Sequence, residues 1–495
     1  MEHFNYLSLL PEIVIVLTGI LVILVDLIID KKDNFINEAI SIFGLVIALV
    51  LTGIQFFNPG VISSDTMLVS DSYAVFFKTA MIVLSLMVIL ISSRHIRIRG
   101  ISHRAEYFSF ILFAATGMMI MAGSLDMVTV YVGLELMAIS IYVLVGISKR
   151  ETLSNEAALK YFLLGLLATA FLLYGISFTY GIFGTTNLVV IKSFLQNNTS
   201  ANSGYVLVMV FLVIAFGFKI AAVPFHMWTP DAYQGAVTPI TAFMSVGPKL
   251  AAFAVLGRVF VYSLLTLRAE WTLIFTVVSL LTMTVGNVIA ISQTNIKRML
   301  AYSSIAHAGY CLVGIAASGG LAGNLGLQSV LFYLSGYLFM NIGAFSIIIF
   351  LDKNGISGAE LDDFSGLSEH YPGIALLMSI FLFSLAGMPP TVGFIGKFYV
   401  FMAAVKSNYI FLAVVGVLNS VIALYYYLRI IVYMYMKNPP ISPFRKGGLK
   451  GDLVEVNRSA SLLLVLGIAV TAILVIGIYP EPVLNFAASA VGGMF

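Results

Sequence analysis

Stretches of about 20 apolar residues recur along the whole chain, and each is long enough to cross a lipid bilayer as a helix. In hydrocarbon every backbone polar group needs a partner within the protein, so only α-helices or a closed β-barrel can span it. Barrel strands alternate apolar and polar residues over about 10 positions. These stretches are longer and continuously apolar, which predicts an all-α, polytopic membrane protein of about 14 transmembrane helices.

The composition leaves no room for a soluble domain, because 60% of the 495 residues are hydrophobic and only 10% are charged. A net charge of +3 is too small to indicate nucleic-acid binding, and the expected surroundings are membrane lipid. The single cysteine, Cys311, excludes an intrachain disulfide and a thiolate-built zinc or iron–sulfur site. The N-terminal stretch lacks the basic region and cleavage site of a signal peptide, so we expect a retained first helix.

Loop charge predicts the orientation of the chain. Most loop lysines and arginines follow odd-numbered spans, whereas loops after even-numbered spans carry only Lys192, Arg268 and Lys406. Basic loops stay on the cytoplasmic side. Both termini are therefore expected on the non-cytoplasmic side.

Three ionisable residues lie about midway along different predicted spans: Glu135, Lys249 and His307. A lysine or carboxylate at the bilayer centre costs about 2.5–3.5 kcal/mol even on the mildest scale. No structural need explains several such groups at one depth, so they are predicted to be functional.

Two more lysines, Lys219 and Lys397, lie beside predicted helix interruptions. Pro224 interrupts span 7 (205–225), and the Pro389-Pro390 pair interrupts span 12 (372–403). The two spans are five apart, and an odd offset reverses the second copy, which indicates two inverted five-helix repeats. Interrupted helices in corresponding positions are typical of a transport site. Two unrelated proline kinks are the alternative interpretation.

These residue types suit proton transfer. Burial disfavours the charged form of a lysine or a glutamate, and a nearby opposite charge reverses the effect, so a Glu135–Lys219 pair would act as a switch. Histidine titrates near neutral pH and suits a relay. Interrupted helices line wet cavities. The sequence therefore predicts a water-connected proton relay of Glu135, Lys219, Lys249, His307 and Lys397.

Other polar residues in or beside the spans have simpler alternatives. Lys160 lies near a cytoplasmic helix end, where it either snorkels or takes part in function, and His226 and Asp231 form a proton entry or only cap helices. Snorkelling toward an interface is predicted for Lys78, Arg258 and Arg429. Glu12 and Asp26 either pair with a neighbouring helix or subunit for structural reasons or take part in function, and the tyrosines are interpreted as lipid-facing and packing residues.

Six segments carry a resemblance to a known family. They are YVGLELMAISIYVL around Glu135, EAALKYFLLG around Lys160, FKIAAVPFHMWTPDAYQGAVTP around Lys219, GPKLAAF around Lys249, KRMLAYSSIAHAGY around His307 and LAGMPPTVGFIGKFYVF around Lys397. With them the chain resembles the antiporter-like membrane subunits of respiratory complex I, the bacterial NADH-quinone oxidoreductase. Lysine rather than glutamate at 397, and no lateral helix after span 14, make it most similar to the subunit N branch.

The resemblance implies a proton-translocating subunit of this translocase, in the bacterial inner (plasma) membrane beside other membrane subunits. Flavin, iron–sulfur clusters and quinone would be bound by partner subunits, and this chain would hold no cofactor or redox centre. It implies transmembrane helices 1–4 over 1–123, with helix 4 opening the first repeat, a proton-translocating core over 124–435, and a cytoplasmic loop with helix 14 over 436–495. The implied site residues are Glu135, Lys219, Lys249 and Lys397 as the main relay, His307 as a linker, and Lys160 and His226 at the cytoplasmic input.

Two alternatives stay open at the level of the sequence. A subunit of a multi-subunit cation/proton antiporter or of a membrane-bound hydrogenase shares the same residues. A stand-alone solute transporter would need a pocket of mixed polar groups at the repeat interface, and mainly titratable residues are found there.

Overall fold

The computed structural model describes residues 6–28, 35–60, 62, 67–101, 103–197, 203–353, 358–437 and 459–495. Within these ranges the chain is helical. The α-helices are α1 (Leu10–Ile28), α2 (Phe35–Phe57), α3 (Ser72–Ile98), α4 (Arg104–Gly123), α5 (Met127–Val145), α6 (Thr152–Phe183), α7 (Leu188–Asn197), α8 (Ser203–Lys219), α9 (Trp228–Gly235), α10 (Thr238–Leu256), α11 (Arg268–Ser292), α12 (Ile296–Ser318), α13 (Asn324–Lys353), α14 (Leu367–His370), α15 (Pro372–Ala386), α16 (Val392–Lys406), α17 (Ile410–Met436), α18 (Ala460–Ile478) and α19 (Glu481–Gly492).

The helix starts follow from capping residues in the connections. Asp71 accepts a hydrogen bond from the Ala74 amide at the start of α3, and Asp126 accepts from the Val128 and Thr129 amides at the start of α5. Such side chains satisfy backbone N–H groups that have no partner in the first turn of a helix. The beginnings of α3 and α5 are thereby defined by their capping aspartates.

The predicted all-α membrane fold is confirmed. Twelve helices of the described chain are long and apolar enough to cross a membrane, and α8 and α15 are apolar but shorter. These two are the first parts of the predicted interrupted spans 7 and 12. Every predicted span coincides with at least one helix, while the count of 14 crossings and the inverted repeats stay predictions. The predicted loop at 436–458 lies almost entirely outside the described residues.

Helices α10, α12 and α13 form the interior of the bundle. Every residue of α10 is buried, and α12 and α13 are nearly so. Helices α1, α2, α6, α11, α17 and α18 surround them and turn large apolar side chains outward. Polar groups on α10, α12 and α13 therefore lie far from the surface, where each needs a partner inside the protein.

The first interruption separates α8 from α9. Helix α8 ends at Lys219, and Ala221 adopts a left-handed backbone with φ of 61°, which costs a non-glycine residue about 1–2 kcal/mol. The indole N–H of Trp228 donates to the carbonyl of Phe218 at 3.0 Å, and the Val223 amide donates to the Thr282 hydroxyl at 3.0 Å. Side chains thus replace the hydrogen bonds that a continuous helix would have made.

The second interruption separates α15 from α16. Gly387 has φ of 88° and closes the last turn of α15 through its amide, which donates to the Phe383 carbonyl at 3.0 Å. Lys397, on α16, reaches back and donates to the carbonyls of Leu385 at 3.1 Å and Ala386 at 2.8 Å. A cation at a helix C-terminus is stabilised by the helix dipole and by the free carbonyls. Both lysines lie beside an interruption, as predicted, and in the structure Lys219 is the last residue of α8 while the Lys397 ammonium lies at the carboxyl end of α15.

Candidate functional site

Around the first interruption, Lys219 and Glu135 are close but not bonded. Lys219 is 2% exposed, and its ammonium has no hydrogen-bond partner among the described residues. Glu135, on α5, is half-buried and accepts a hydrogen bond from the Thr169 hydroxyl at 2.7 Å. The carboxylate is near enough to act electrostatically on Lys219. The predicted switch pair is thus present as neighbours, in an arrangement without direct contact.

Four aromatic side chains lie side by side next to Lys219, and we call them the aromatic wall: Tyr142, Tyr161, Trp228 and Tyr233. The ammonium lies 5.8 Å from the centre of the Tyr142 ring, whose centre is 4.7 Å from that of Tyr161. Tyr161 stacks on Trp228 at 4.3 Å, and Trp228 contacts the Tyr233 ring edge-on at 6.4 Å. The wall links α5 and α6 to the half-helix α9 that follows the break.

Several buried polar atoms at this break have no protein partner. They belong to one region of the described chain and are Lys219 Nζ, the hydroxyl groups of Tyr142 and Tyr161, Thr229 Oγ1 and His226 Nδ1. Buried polar groups of native proteins are satisfied by protein or by ordered water. We expect water to satisfy these atoms, and we refer to the first interruption as the hydrated site.

At one end of α9, Asp231 ties two helices together. Its carboxylate accepts from Lys160 of α6 at 2.8 Å and from Arg298 of α12 at 2.7 Å, and Lys160 also pairs with Glu156 at 2.7 Å. Burial opposes ionisation of Asp231, but the hydrogen bonds from Lys160 and Arg298 outweigh it and lower the pKa of the carboxyl. Lys160 is thus a surface lysine held in ion pairs. Its two interpretations, snorkelling and a role in function, both stay predictions.

Lys249, on α10, is hydrogen-bonded to α12 rather than to a carboxylate. It is 3% exposed, and its ammonium donates to both the carbonyl and the hydroxyl oxygen of Ser304 on α12. The Ser304 hydroxyl also accepts from the Tyr337 hydroxyl at 2.9 Å and lies 3.3 Å from the Tyr233 hydroxyl. The amino group of this buried lysine is thus satisfied by neutral oxygen atoms.

His307 is bound between two tyrosine hydroxyl groups. Its Nδ1 is hydrogen-bonded to Tyr333, and its Nε2 lies 3.1 Å from the hydroxyl of Tyr427, which also contacts Ser303. The void shared by Lys249 and His307 is too small for a water molecule. Hydroxyl groups rather than water therefore connect these residues in this conformation.

Lys397 completes the second group of buried charges. Besides the carbonyls at the end of α15, its ammonium lies 4.8 Å from the Tyr310 ring centre, and Tyr310 stands edge-on to His307 at 5.8 Å. His307 interacts electrostatically with both Lys249 and Lys397. The structure thus brings Lys249, His307 and Lys397 together, and separates them from Glu135 and Lys219.

Three predictions about charged residues need revision. Snorkelling is wrong for Lys78, which is 1% exposed and forms an ion pair with Glu12 at 2.7 Å. It is also wrong for Arg258, which is fully buried. The pairing predicted for Glu12 and Asp26 is confirmed, since Asp26 accepts from the Asn37 amide of α2 at 2.6 Å. Snorkelling does not describe Arg429 either, because its partly buried guanidinium donates to the carbonyls of Ile291 and Gln293 at the end of α11.

The sequence interpretation missed the hydroxyl groups. Tyr333, Tyr337 and Tyr427 were expected only to pack, yet their hydroxyl groups are the partners of His307, Ser304 and Ser303. A signal was present in α13, where Tyr333, Tyr337 and Asn341 follow at four-residue spacing and so share one helix face. A polar stripe inside an apolar span indicates internal hydrogen bonding.

The fold and these buried charges define an all-helical, multi-pass membrane protein with interrupted helices at a buried charged site. A family model described as NADH:quinone oxidoreductase/Mrp antiporter, transmembrane, matches residues 124–423. NADH-quinone oxidoreductase subunit N of Trichlorobacter lovleyi is 45% identical over 99% of this chain and 98% of its own length. Subunit N 2 of Rhizobium meliloti is 43% identical over 88% and 89%. The chain belongs to the NADH:quinone oxidoreductase/Mrp antiporter family of membrane subunits, which confirms the resemblance noted from its motifs.

Two solved structures share the fold. A chain of respiratory complex I from Thermus thermophilus with bound aureothin aligns with a TM-score of 0.79 and 28% identity, over 96% of this chain and 98% of that one. A chain of the Mrp complex from Dietzia sp. DQ12-45-1b aligns with a TM-score of 0.84 and 20% identity, over 99% and 98%. At 20% identity the second match supports only the fold.

Proposed function

We propose that this chain is a proton-translocating membrane subunit of an NADH-quinone oxidoreductase. The observation that carries the proposal is a set of buried ionisable groups, Lys219, Lys249, His307 and Lys397, placed at and between two interrupted helices. Relatives named subunit N cover nearly the whole chain and supply the link to this complex. The expected location is the bacterial inner membrane, with both termini on the non-cytoplasmic side.

The proposed mechanism uses only this chain's titratable groups and water. Glu135 and Lys219 form the first unit, in which approach of the carboxylate favours the protonated lysine and its withdrawal releases the proton. Lys249, His307 and Lys397 form the second unit, in which the proton moves between the lysines past the histidine. Lys160 and His226 serve the cytoplasmic input, where Lys160 is exposed and paired with Asp231.

Electron transfer is assigned to other subunits of the complex. Flavin, iron–sulfur clusters and quinone would be held there, and the charges of this chain would respond to that reaction through neighbouring membrane subunits. The alternative is a subunit of a cation/proton antiporter or of a membrane-bound hydrogenase. Sequence identity favours the oxidoreductase. This chain is 45% identical to the Trichlorobacter subunit N but only 20% identical to the Mrp chain.

The test is purification through a tag on this chain, followed by reconstitution in vesicles and measurement of NADH-driven proton uptake. Co-purification with flavin and iron–sulfur subunits, and uptake that depends on NADH, are expected. Lys219→Ala and Lys249→Ala should each abolish coupled uptake, whereas Lys406→Ala, at an exposed helix end, should leave it unchanged. Full uptake in the Lys219 and Lys249 variants would overturn the relay.

A further inference from the structure

Lys249 and Lys219 belong to different groups of charges, and the structure joins these groups through one serine. The ammonium of Lys249 contacts Ser304 on α12, and no described carboxylate forms an ion pair with it. The Ser304 hydroxyl in turn faces Tyr233 on α9, the half-helix that follows the first interruption. Tyr233 belongs to the aromatic wall beside Lys219 through its contact with Trp228.

The hydrogen-bonding capacity of a hydroxyl group fixes the direction of these bonds. A serine oxygen accepts through two lone pairs and donates one proton. Lys249 carries only donors and occupies one lone pair. Tyr337 occupies the other, because its own oxygen already accepts from the Asn341 amide at 2.9 Å and its proton points to Ser304 at 2.9 Å. The Ser304 proton is therefore left for the Tyr233 oxygen.

The surrounding groups hold this arrangement in place. Asn341 donates its second amide proton to the Ser245 hydroxyl at 2.7 Å, so both protons of its amide nitrogen are used. Ser304 is fully buried and Tyr233 is 1% exposed. The adjacent void beside Lys249 is too small for water. No bulk water competes for the Ser304 hydroxyl, and Tyr233 is the one acceptor left among its described neighbours.

We propose that Ser304 and Tyr233 form the hydroxyl bridge that carries protons between Lys249 and the hydrated site at Lys219. This inference rests on the proposed function. Protonated Lys249 gives an N–H proton to the Ser304 oxygen while the Ser304 hydroxyl proton passes to the Tyr233 oxygen. Tyr233 releases its own hydroxyl proton to water at the break. Lys249 becomes neutral, each hydroxyl group is restored, and the reverse sequence recharges the lysine.

Tyr337 has a different part in this bridge. Its proton already points into Ser304, so it is a positioning residue that directs the serine hydroxyl toward Tyr233. In Tyr337→Phe the second lone pair of Ser304 is freed and the serine proton is no longer directed. We expect a smaller loss of proton uptake there than in Tyr233→Phe, because the two transfer groups remain.

The experiment uses the whole complex in vesicles and measures NADH-driven proton uptake. Ser304→Ala and Tyr233→Phe should each lower the uptake rate at least ~10-fold, as expected for loss of a proton-transfer group. Ser304→Thr, which keeps a hydroxyl group, should restore most of it. The double variant should be no slower than either single one, because the two groups act as one unit.

A buried serine–tyrosine contact elsewhere in the fold provides the matched control. Ser92 and Tyr107 are both fully buried and lie 2.9 Å apart, hydroxyl to hydroxyl, on α3 and α4. Ser92→Ala and Tyr107→Phe remove the same atoms, so they report the cost of losing a buried hydroxyl group alone. Uptake in Ser304→Ala and Tyr233→Phe equal to these controls, or losses that multiply in the double variant, would overturn the bridge.

Two further outcomes separate this inference from the function on which it rests. If Lys249→Ala keeps full uptake, the proposed relay itself fails. If Lys249→Ala loses uptake while Ser304→Ala and Tyr233→Phe keep it, only the bridge fails. Tyr233→Phe removes a single oxygen atom and carries the test alone where Ser304→Ala does not assemble.

Discussion

The guanidinium of Arg258 forms two hydrogen bonds with the carboxylate of Asp71, at 2.6 and 3.1 Å, and both side chains are buried. The pair joins the π-helix Gly257–Ser263, which continues α10 beyond Lys249, to the start of α3. Arg258 also donates to the Ala122 carbonyl at 2.9 Å. Since every charge has a partner, we interpret the pair as structural.

Removing one partner should therefore destabilise the protein. Arg258→Met leaves the Asp71 carboxylate buried without its partner, a change that typically costs about 3–5 kcal/mol. We expect a lower yield of assembled complex and a lower melting temperature, whereas Arg268→Met, at an exposed position, should change neither. Replacing both Arg258 and Asp71 with apolar residues should recover much of the loss. A double variant as unstable as Arg258→Met would contradict this interpretation.

The contact between Gly165 and Tyr142 sets the position of the aromatic wall at Lys219. A Cβ atom at Gly165 of α6 would lie 1.9 Å from the Tyr142 hydroxyl oxygen, so Gly165→Ala must displace that ring. Misplacement near a reacting group by about 1 Å costs roughly 100-fold in rate. We expect assembled complex with proton uptake reduced ~10- to 100-fold.

Gly181 of the same helix provides the control for this variant. A Cβ atom there would have no neighbour within 4 Å, so Gly181→Ala should keep full uptake. Adding Tyr142→Phe to Gly165→Ala removes the hydroxyl oxygen but leaves the ring carbon Cζ 2.7 Å from the added Cβ atom, so we expect only part of the uptake to return. Equal uptake in Gly165→Ala and Gly181→Ala would show that the position of Tyr142 has no bearing on transport.

What the sequence predicts well is the location of buried charge. A lysine inside a long apolar stretch has few interpretations, and a proline beside it marks the break, so Lys219 and Lys397 were predicted at helix interruptions and are found there. These signals are local. They depend on the hydropathy and the prolines within about one helix length, so they can be read from a short stretch of sequence.

The partners of the buried charges were not predictable in the same way. Lys78 bonds Glu12, and Arg258 bonds Asp71 from 187 positions away, so a buried pair is indistinguishable in sequence from two snorkelling chains. The same holds for Ser304, an ordinary residue type in a small-residue helix whose role comes only from the approach of α9, α10 and α13. Long-range packing, rather than local pattern, decides which hydroxyl group meets which lysine.

Gly387 has a left-handed backbone conformation and lies directly beside the Lys397 side chain. Its φ of 88° disfavours any L-residue, by about 1–2 kcal/mol, and an added Cβ atom would lie 2.9 Å from Lys397 Cδ. Gly387→Ala should therefore move the ammonium off the α15 carbonyls and lower proton uptake as strongly as Lys397→Ala does. Gly373→Ala, on the same helix with open space around it, should have no effect. Normal uptake in Gly387→Ala would show that Lys397 does not need this position.

The Asp231 carboxylate, which bridges Lys160 and Arg298, predicts a defined response to charge removal and to pH. Its pKa lies below the usual 3.8, so the folded state favours the ionised form. The bridge therefore stabilises the fold at all pH values above 3.8, and this contribution is lost as the pH falls through the lowered pKa of the folded state. Near neutral pH, Asp231→Asn should lower the free energy of unfolding by about 1 kcal/mol.

The measurement is the melting temperature of the complex at several pH values. The difference between the original chain and Asp231→Asn should stay constant from neutral pH down to mild acid and shrink only near the pKa of the folded state. Asp362→Asn is the control, because Asp362 pairs with Lys437 at 2.6 Å but is 78% exposed, and solvent screens that pair. A difference that disappears already near pH 6.5, the usual pKa of histidine, would assign the effect to a histidine instead.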